Sequence, residues 1–433
     1  MAQIAPFRAL RYDLGRAGDP SRLLAPPYDV IQPADQEALE ANSAHNVVRL
    51  ILPRGEGDER YARAASDLAR WVAEGVLRRD ARPALYRVHT DFVVGARAYT
   101  RRGVLARIRL HRYEDGVVLP HERTLSGPKA DRLKLKRACR VHLSPIFALY
   151  DDPRGRVDEA LRRAEGAAPD LDAQTPDGLS HRLWRVEDPQ AIRSVVGALD
   201  PSRLAIADGH HRYETMLALR DEIRAAEPGA KSSVDFGLAY LASAGDEGLV
   251  VRPTHRLLHS LPRLDVPALV AAAPAHFAVE AQPLGEAAQL EAELARRGAG
   301  GPTLALLAAR DASVHFLTVR ADADLSVIPV PLRALETALL ERLVLRGLLG
   351  LTPESITRQE NLLYVHDTSE ALAKVRAGEV QAALFVNPTP VGQILAIAGA
   401  GESMPQKSTF FHPKVPTGLV LNPIDPGEDV DTV

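Results

Sequence analysis

Between Arg203 and Glu227 the sequence RLAIADGHHRYETMLALRDEIRAAE changes its hydrophobic period within a single turn. Leu204–Ala207 is a short apolar run of strand character, whereas Met216, Leu219, Ile223 and Ala226 recur at the spacing of one helix face. A strand that passes into a helix across one glycine confines the chain to folds that mix both elements. The alternation recurs along the sequence. Helices are expected over 58–77, at the start of 153–180, and over 189–199, 286–297, 331–348 and 368–377. Strands are expected over 84–94 and 98–110, joined as a hairpin at Gly95, and near 146–150, 181–188, 303–309, 313–319, 361–366 and 380–386. VDFGLAYLAS and GLVVRPTH read as a second hairpin. The expected class is α+β with mixed sheets: one domain over 1–262 carrying an insertion around 150–200, then a second α+β domain over 263–433.

Composition narrows the function classes. The 433 residues hold 53 basic and 56 acidic side chains, a net charge of −3, which argues against a protein that coats nucleic acid. A lone cysteine, Cys139, excludes an intramolecular disulfide and a cysteine-based zinc site. Its place in a basic helix would lower its pKa. The apolar runs Leu304–Ala309 and Leu395–Ala400 are far too short to span a bilayer, and MAQIAPFRALRYDLG has no signal-length apolar stretch. A soluble, cytoplasmic protein with no membrane and no nucleic-acid partner is expected. No GxxxxGK[ST], GxGxxG, GxSxG or HExxH is present, so the common nucleotide, hydrolase and zincin signatures are missing. Only seven of the basic residues are lysines (129, 134, 136, 231, 374, 407 and 414), and five of them fall within 129–136 and 407–414. An Arg-rich, Ala-rich coding bias accounts for the scarcity but not for the clustering.

Three segments carry the chemistry. Asp208-Gly209-His210-His211-Arg212 sits where the strand gives way to the helix. Unsatisfied N–H groups and the positive dipole end favour an anion there. Gly209 allows close backbone approach, Arg212 offers a bidentate charge to a phosphate, and Asp208, His210 and His211 supply acid–base or metal-ligand groups. The blander account has Asp208 capping the helix and the histidines covering its first turn. The second segment is Leu119-Pro-His121-Glu122-Arg-Thr124, followed by the basic helix with Lys129 and Arg132. Glu122 can act as a base and the helix can receive a phosphate or carboxylate; a solvated basic face is the alternative. In the third, Met404–Lys414, the residues Lys407, Ser408, Thr409, His412 and Lys414 form an anion-binding loop, or a loop stapled to the core by Phe410 and Phe411. Thr254-His255-Arg256, Tyr28-Asp29 and Asn46 are weaker candidates, each more often structural.

PPYDVI, LPHERT with PKADRL, IADGHHRYE, PTHRLL and PQKSTFFHPK, in this order, resemble domain-of-unknown-function family 1015 over nearly the whole chain. DGHHR also resembles, more distantly, the nucleotide-phosphate motif of the ParB and sulfiredoxin superfamily, most closely its free-serine kinase branch, which carries an upstream P-H-E. The resemblance implies a ParB/sulfiredoxin-like nucleotide-binding core with Glu122 as base. Gly209, His210, His211 and Arg212 would hold phosphates, helped by Lys129, Arg132, His255, Arg256, Lys407, Ser408, Thr409 and Lys414. Asp208 would be a second base or a Mg²⁺ contact, beside His121, with ATP or ADP as the nucleotide. Two departures stand out: roughly 85 residues separate the motifs, and His210 occupies the position where sulfiredoxin chemistry needs a cysteine.

The reading that follows is a nucleotide-dependent phosphotransferase acting on a small serine-like hydroxyl acceptor. A non-catalytic nucleotide sensor, or a metal-dependent hydrolase built on Asp208, His210, His211, His121 and Glu122, are the alternatives. The oligomeric state is left open.

Overall fold

The hairpin around Gly95 becomes the spine of a nine-stranded sheet. A computed structural model describes residues 1–122, 124, 126–309 and 311–431, with Ser126 and Pro128 in backbone only. The chain forms two compact units, each discontinuous in sequence. Unit 1 comprises Met1–Pro120, Thr124–Val250 and Pro413–Val433, and unit 2 comprises His121–Arg123 and Val251–His412. Arg123 of the LPHERT segment lies outside the described residues.

The strands of unit 1's main sheet are β1 (Ile4–Ala5), β2 (Leu85–Val94), β3 (Arg97–Arg109), β4 (Val118–Leu119), β5 (Ile146–Tyr150), β6 (Leu171–Gln174), β7 (Ser180–Val186), β8 (Leu204–Asp208) and β9 (Phe236–Ser243). Their order is β4-β8-β5-β9-β3-β2-β7-β6, with β1 also paired to β3. β8 runs parallel to β4 but antiparallel to β5, and β9 runs parallel to β5 but antiparallel to β3, so the sheet is mixed. The hairpin expected between VDFGLAYLAS and GLVVRPTH does not form. Both edges of β9 are already taken by β3 and β5, which leaves no ladder for Val250–Arg252.

The helices used below are α1 (Glu59–Ala73), α2 (Ser126–Cys139), α3 (Arg156–Arg163), α4 (Pro189–Leu199) and α5 (His210–Ala226). α1 stops short of the expected residue 77. Gly75, at φ +71°, breaks it, and Leu77–Arg79 pairs instead with Leu10–Tyr12. At the start of α4 the Asp188 carboxylate accepts the N–H groups of Gln190 and Ala191, with Pro189 at the first helical position. One apolar core joins Val104, Ile108, Ala148 and Ile206 of the sheet to Val157, Ile192, Val195, Tyr213 and Met216 of α3, α4 and α5. A second places Tyr61, Leu68 and Trp71 of α1 against Leu135 and Cys139 of α2 and Leu421. Each such large apolar side chain contributes about 1.5–3 kcal/mol when fully buried.

In unit 2, β10 (His255–Leu258), β11 (Phe277–Pro283), β12 (Thr303–Ala308), β13 (Ser313–Val319), β14 (Leu362–Val365) and β15 (Ala382–Phe385) form an antiparallel sheet in the order β11-β13-β12-β15-β10-β14. Leu290 and Leu294 of α6 (Ala287–Gly298) and Leu372 and Val375 of α7 (Thr368–Arg376) cover Leu257, Leu307, Phe316 and Phe385. The helix expected over 331–348 is broken at its start. Pro331 sits in a 3₁₀ turn, α-helix begins only at Glu336, and the bonds widen to π type over Leu340–Leu348. The molecule is thus α+β with mixed sheets. Among the described residues, no helix is long and apolar enough to cross a membrane.

Candidate functional site

In unit 1 the apolar strand β8 delivers Asp208 to the edge of the core, and a register shift between Ile206 and Asp208 lets its side chain leave the ladder. Gly209 follows in the left-handed region at φ +93°, and a Cβ there would stand 2.8 Å from Arg212 Nε. The turn therefore needs glycine twice, for its dihedral and for the closeness of the guanidinium. α5 begins at His210, and His210 and Arg212 are both buried.

Asp208 does not cap this helix. One carboxylate oxygen accepts from Arg212 Nη2 and the other from Lys414 Nζ, while Arg212 Nη1 donates to the Pro145 carbonyl. Burial alone would raise the Asp208 carboxyl, but Lys414 and Arg212 outweigh it and hold the group well below the carboxylate range. A carboxylate so held is a weak proton acceptor. With a cation on each oxygen it also does not fit a protein-held Mg²⁺, and among the described residues no three His, Cys, Asp or Glu side chains converge as a metal site.

One turn on, the Glu214 carboxylate accepts from Thr124 Oγ1 at 2.9 and 2.8 Å and from Lys129 Nζ at 2.8 Å, tying α5 to α2. The remaining cations of α2 divide sharply. Lys134 is paired with Asp58 at 2.7 Å on the exposed face. Arg132 is buried, donates to the Ile51 carbonyl at 2.6 Å and to Asp131 at 2.7 Å, and lies 4.1 Å from the centre of the Tyr28 ring. Lys136 is buried too. Burial, then the nearby charges of Arg212 and Arg132, push its ammonium down to about 7. The sequence candidates did not single out Lys136, yet the signal was available: Arg132, Leu135, Lys136 and Cys139 share the buried stripe of α2. Cys139 overturns the expectation of an acidified thiol, because burial pushes it up to about 12.

In unit 2, His121 and Glu122 are laced to the 404–409 loop. The Met404 N–H donates to the His121 carbonyl at 2.8 Å, the Lys407 N–H to Glu122 Oε1 at 3.3 Å, and His121 Nε2 lies 3.0 Å from Thr409 Oγ1. Lys407 adopts a left-handed φ of +56° in this loop. Arg256 extends from β10, donates to the carbonyls of Gln406 (3.3 Å) and Lys407 (3.1 Å), and lies over Tyr364 at 5.3 Å. Ser408 is buried, receiving a bond from Thr337 at 2.8 Å and donating to the Pro405 carbonyl at 2.7 Å. His255 is a core histidine: Nε2 is 3.0 Å from Thr368 Oγ1, and burial, then Arg256, push it down to about 3. As a neutral ring it brings no charge to an anion.

The candidates therefore form two constellations. Asp208, Gly209, His210, His211, Arg212, Lys129, Arg132 and Lys414 belong to unit 1, and His121, Glu122, His255, Arg256, Lys407, Ser408 and Thr409 to unit 2. Clefts of about 390 Å³ (at Gln3, His111 and Arg220) and about 430 Å³ (at Arg156, Arg163 and Arg193) include none of them.

The fold and its first constellation define an α+β protein in which a strand–glycine–helix turn gathers cations around a clamped aspartate. The chain belongs to the family described as "Protein of unknown function (DUF1015)", whose model matches residues 4–337. Solved structures similar to it include a conserved hypothetical protein from Pyrococcus furiosus (14% identity, TM-score 0.36, covering 74% of this chain and 95% of that one). A free serine kinase in complex with AMP is 12% identical (TM-score 0.37, 75% and 92% covered). A C-terminally truncated SbnI from Staphylococcus aureus is 9% identical (TM-score 0.34, 73% and 87% covered). No curated protein is matched.

Proposed function

We propose that this chain is a nucleotide-dependent phosphotransferase, with ATP or ADP as donor and a small serine-like hydroxyl metabolite as acceptor. The carrying observation is the Asp208–Arg212 turn: a helix start, a glycine that permits close backbone approach, and the cations Arg212 and Lys414 held in place by one carboxylate. Transfer of a phosphoryl group requires anchored phosphates and neutralised charge more than covalent participation by the protein. In this reading Gly209, His210, His211, Arg212 and Lys414 hold the phosphates on a ParB/sulfiredoxin-like core. Asp208 positions the two cations rather than accepting a proton. Glu122, whose carboxylate is oriented by the Lys407 N–H, takes the acceptor's hydroxyl proton. Resemblance of DGHHR and PHE to the free-serine kinase motifs supports this assignment.

Incubating the purified chain with Mg²⁺–ATP or Mg²⁺–ADP and serine, and assaying for phosphoserine, tests the reading. Glu122→Gln should reduce turnover by about 10²–10⁴-fold, the usual contribution of a positioned base, while leaving nucleotide affinity within a factor of two or so. Arg212→Met should abolish nucleotide binding. Tight nucleotide binding with no transfer to serine or related hydroxy metabolites would replace the kinase by a sensor.

A further inference from the structure

We propose that Arg101 is a positioning residue for the phosphate site of unit 1: by holding the Pro413 carbonyl, it sets Lys414 against Asp208. The inference deepens the phosphotransferase reading and rests on its nucleotide site.

Lys414 reaches Asp208 from a stretch, Pro413–Pro416, that belongs to no helix or strand, so no periodic ladder fixes its backbone. Bonds to distant segments flank it instead. On one side Arg101 Nη1 donates to the Pro413 carbonyl at 2.5 Å. On the other, the Thr417 N–H donates to the Ala25 carbonyl at 2.8 Å and the Ala25 N–H to the Thr417 carbonyl at 3.2 Å. Thr417 Oγ1 also lies 2.9 Å from Ser144 Oγ, next to Pro145, whose carbonyl accepts from Arg212. The Thr417 end of the strap is therefore tied to the first cation of the site, and the Pro413 end to Arg101.

The burial of Arg101 is costly for a part that only fills space. Its side chain is buried on β3, and among the described residues no ion pair neutralises it. Phe147 of β5 and Tyr240 of β9 flank the guanidinium, with ring centres 5.0 and 5.3 Å away. Gly103, two residues along β3, leaves room for the Tyr240 ring. Aromatic faces offset part of the lost hydration, but the directed bond goes to Pro413. Arg107, on the same face of β3, supplies a contrast. It grips the returning chain farther on, at Asn422 (2.8 Å), the Pro423 carbonyl (3.2 Å) and Glu428 (3.1 Å). The Leu10–Leu421 backbone pair, 2.9 Å in both directions, lies between that grip and Thr417. Of the two arginines, Arg101 is the one bonded next to Lys414.

The test pairs lysine footprinting with calorimetric titration of ADP, both on the full chain. Acylation by acetic anhydride, read site by site in a mass spectrometer, reports Lys414 directly. Its side chain is 16% exposed, while Lys134 and Lys231, at 46% and 51%, serve as internal references. In Arg101→Met, Lys414 should be acylated about tenfold faster with the reference lysines unchanged, and ADP should bind about tenfold more weakly, as expected for one lost bond from a charged donor. Adding Lys414→Met to Arg101→Met should weaken ADP binding no further than Lys414→Met alone. Arg101→Lys, which keeps a cationic donor beside the same rings, should restore both readouts. Arg107→Met should lower the urea midpoint yet leave the Lys414 rate and ADP affinity as they are. Unchanged Lys414 reactivity in Arg101→Met, or equal release in Arg107→Met, would overturn the proposal and leave the nucleotide reading standing. Faster acylation with unaltered ADP affinity would overturn it too, because Lys414 would then be no part of the phosphate site. Should Arg101→Met not fold, Arg101→Gln against Arg101→Lys decides by the same two readouts. Joint loss of protection and affinity, without phosphoryl transfer to any acceptor, would sink the kinase and keep the role of Arg101. A wild type that binds no ADP would refute the nucleotide reading and with it the phosphate site that Arg101 is said to serve.

Discussion

Gly209 shows how much of the first constellation hangs on one missing Cβ. Replacement by alanine must hold a β-carbon at φ +93°, which costs about 1–2 kcal/mol for an L-residue, and must also displace the Arg212 guanidinium. Gly116 is a fitting control: its φ is +65°, but an added Cβ there meets nothing within 4 Å. Gly209→Ala should therefore lower the urea midpoint more than Gly116→Ala and weaken ADP binding, whereas Gly116→Ala should leave binding unchanged. Equal effects of the two on ADP affinity would contradict the role given to the Gly209–Arg212 contact. The need for glycine here was legible in the sequence, since it sits alone between a strand and a helix. The partner of Asp208 was not. Helix capping is the default for an aspartate at such a place, whereas the carboxylate turns to Arg212, four residues on, and to Lys414, 206 residues on, the second of which no local pattern encodes.

At the scale of elements, the legible parts were those whose hydrophobic period is strong. The β2–β3 hairpin pairs Val94 with Arg97 across Gly95, and α4, α6 and α7 fall within a residue or two of their expected limits. What failed were choices between partners. The apolar run of β9 marks it as a strand, but does not show that β3 and β5 claim both of its edges. Close packing between these neighbours gives a sharp test. A Cβ on Gly103 of β3 would lie 2.3 Å from Cζ of Tyr240 on β9, inside a buried cluster where Arg101 lies 5.3 Å from the Tyr240 ring. Gly103→Ala should destabilise the chain by roughly 1–3 kcal/mol through overpacking. Combining it with Tyr240→Ala should cost less than the sum of the two single changes, measured as a double-mutant cycle in urea. Additive costs would mean that the ring moves aside freely. Lys136 belongs to this scale as well, because its burial follows from the stripe of α2 rather than from its immediate neighbours in sequence.

For the whole molecule, the sequence offers no mark for units that the chain leaves and re-enters. His121 and Glu122 stand beside the 404–409 loop of unit 2, while Pro120 before them and Lys414 after the loop belong to unit 1. Motifs adjacent in sequence are thereby sorted into different constellations by contacts made hundreds of residues apart, which periodicity and spacing do not encode. Both units share one chemical vulnerability. His89 and His181 of unit 1 are pushed down to about 4 and His255 of unit 2 to about 3, in each case first by burial; Arg87 adds to it at His89 and Arg256 at His255. In the unfolded chain these rings titrate near 6.5. Between that value and the folded ones, the unfolded state binds more protons than the native state, so stability falls as pH drops. The melting temperature should hold above pH 7 and decline steeply from about 6.5 toward 4. His181→Gln, which removes one such ring from beside Thr90, should cost stability at pH 7.5 but converge on wild type near pH 4.5. Thermal melts at half-unit pH steps decide it. Parallel curves for wild type and variant would show that His181 is not the neutral buried ring its surroundings require.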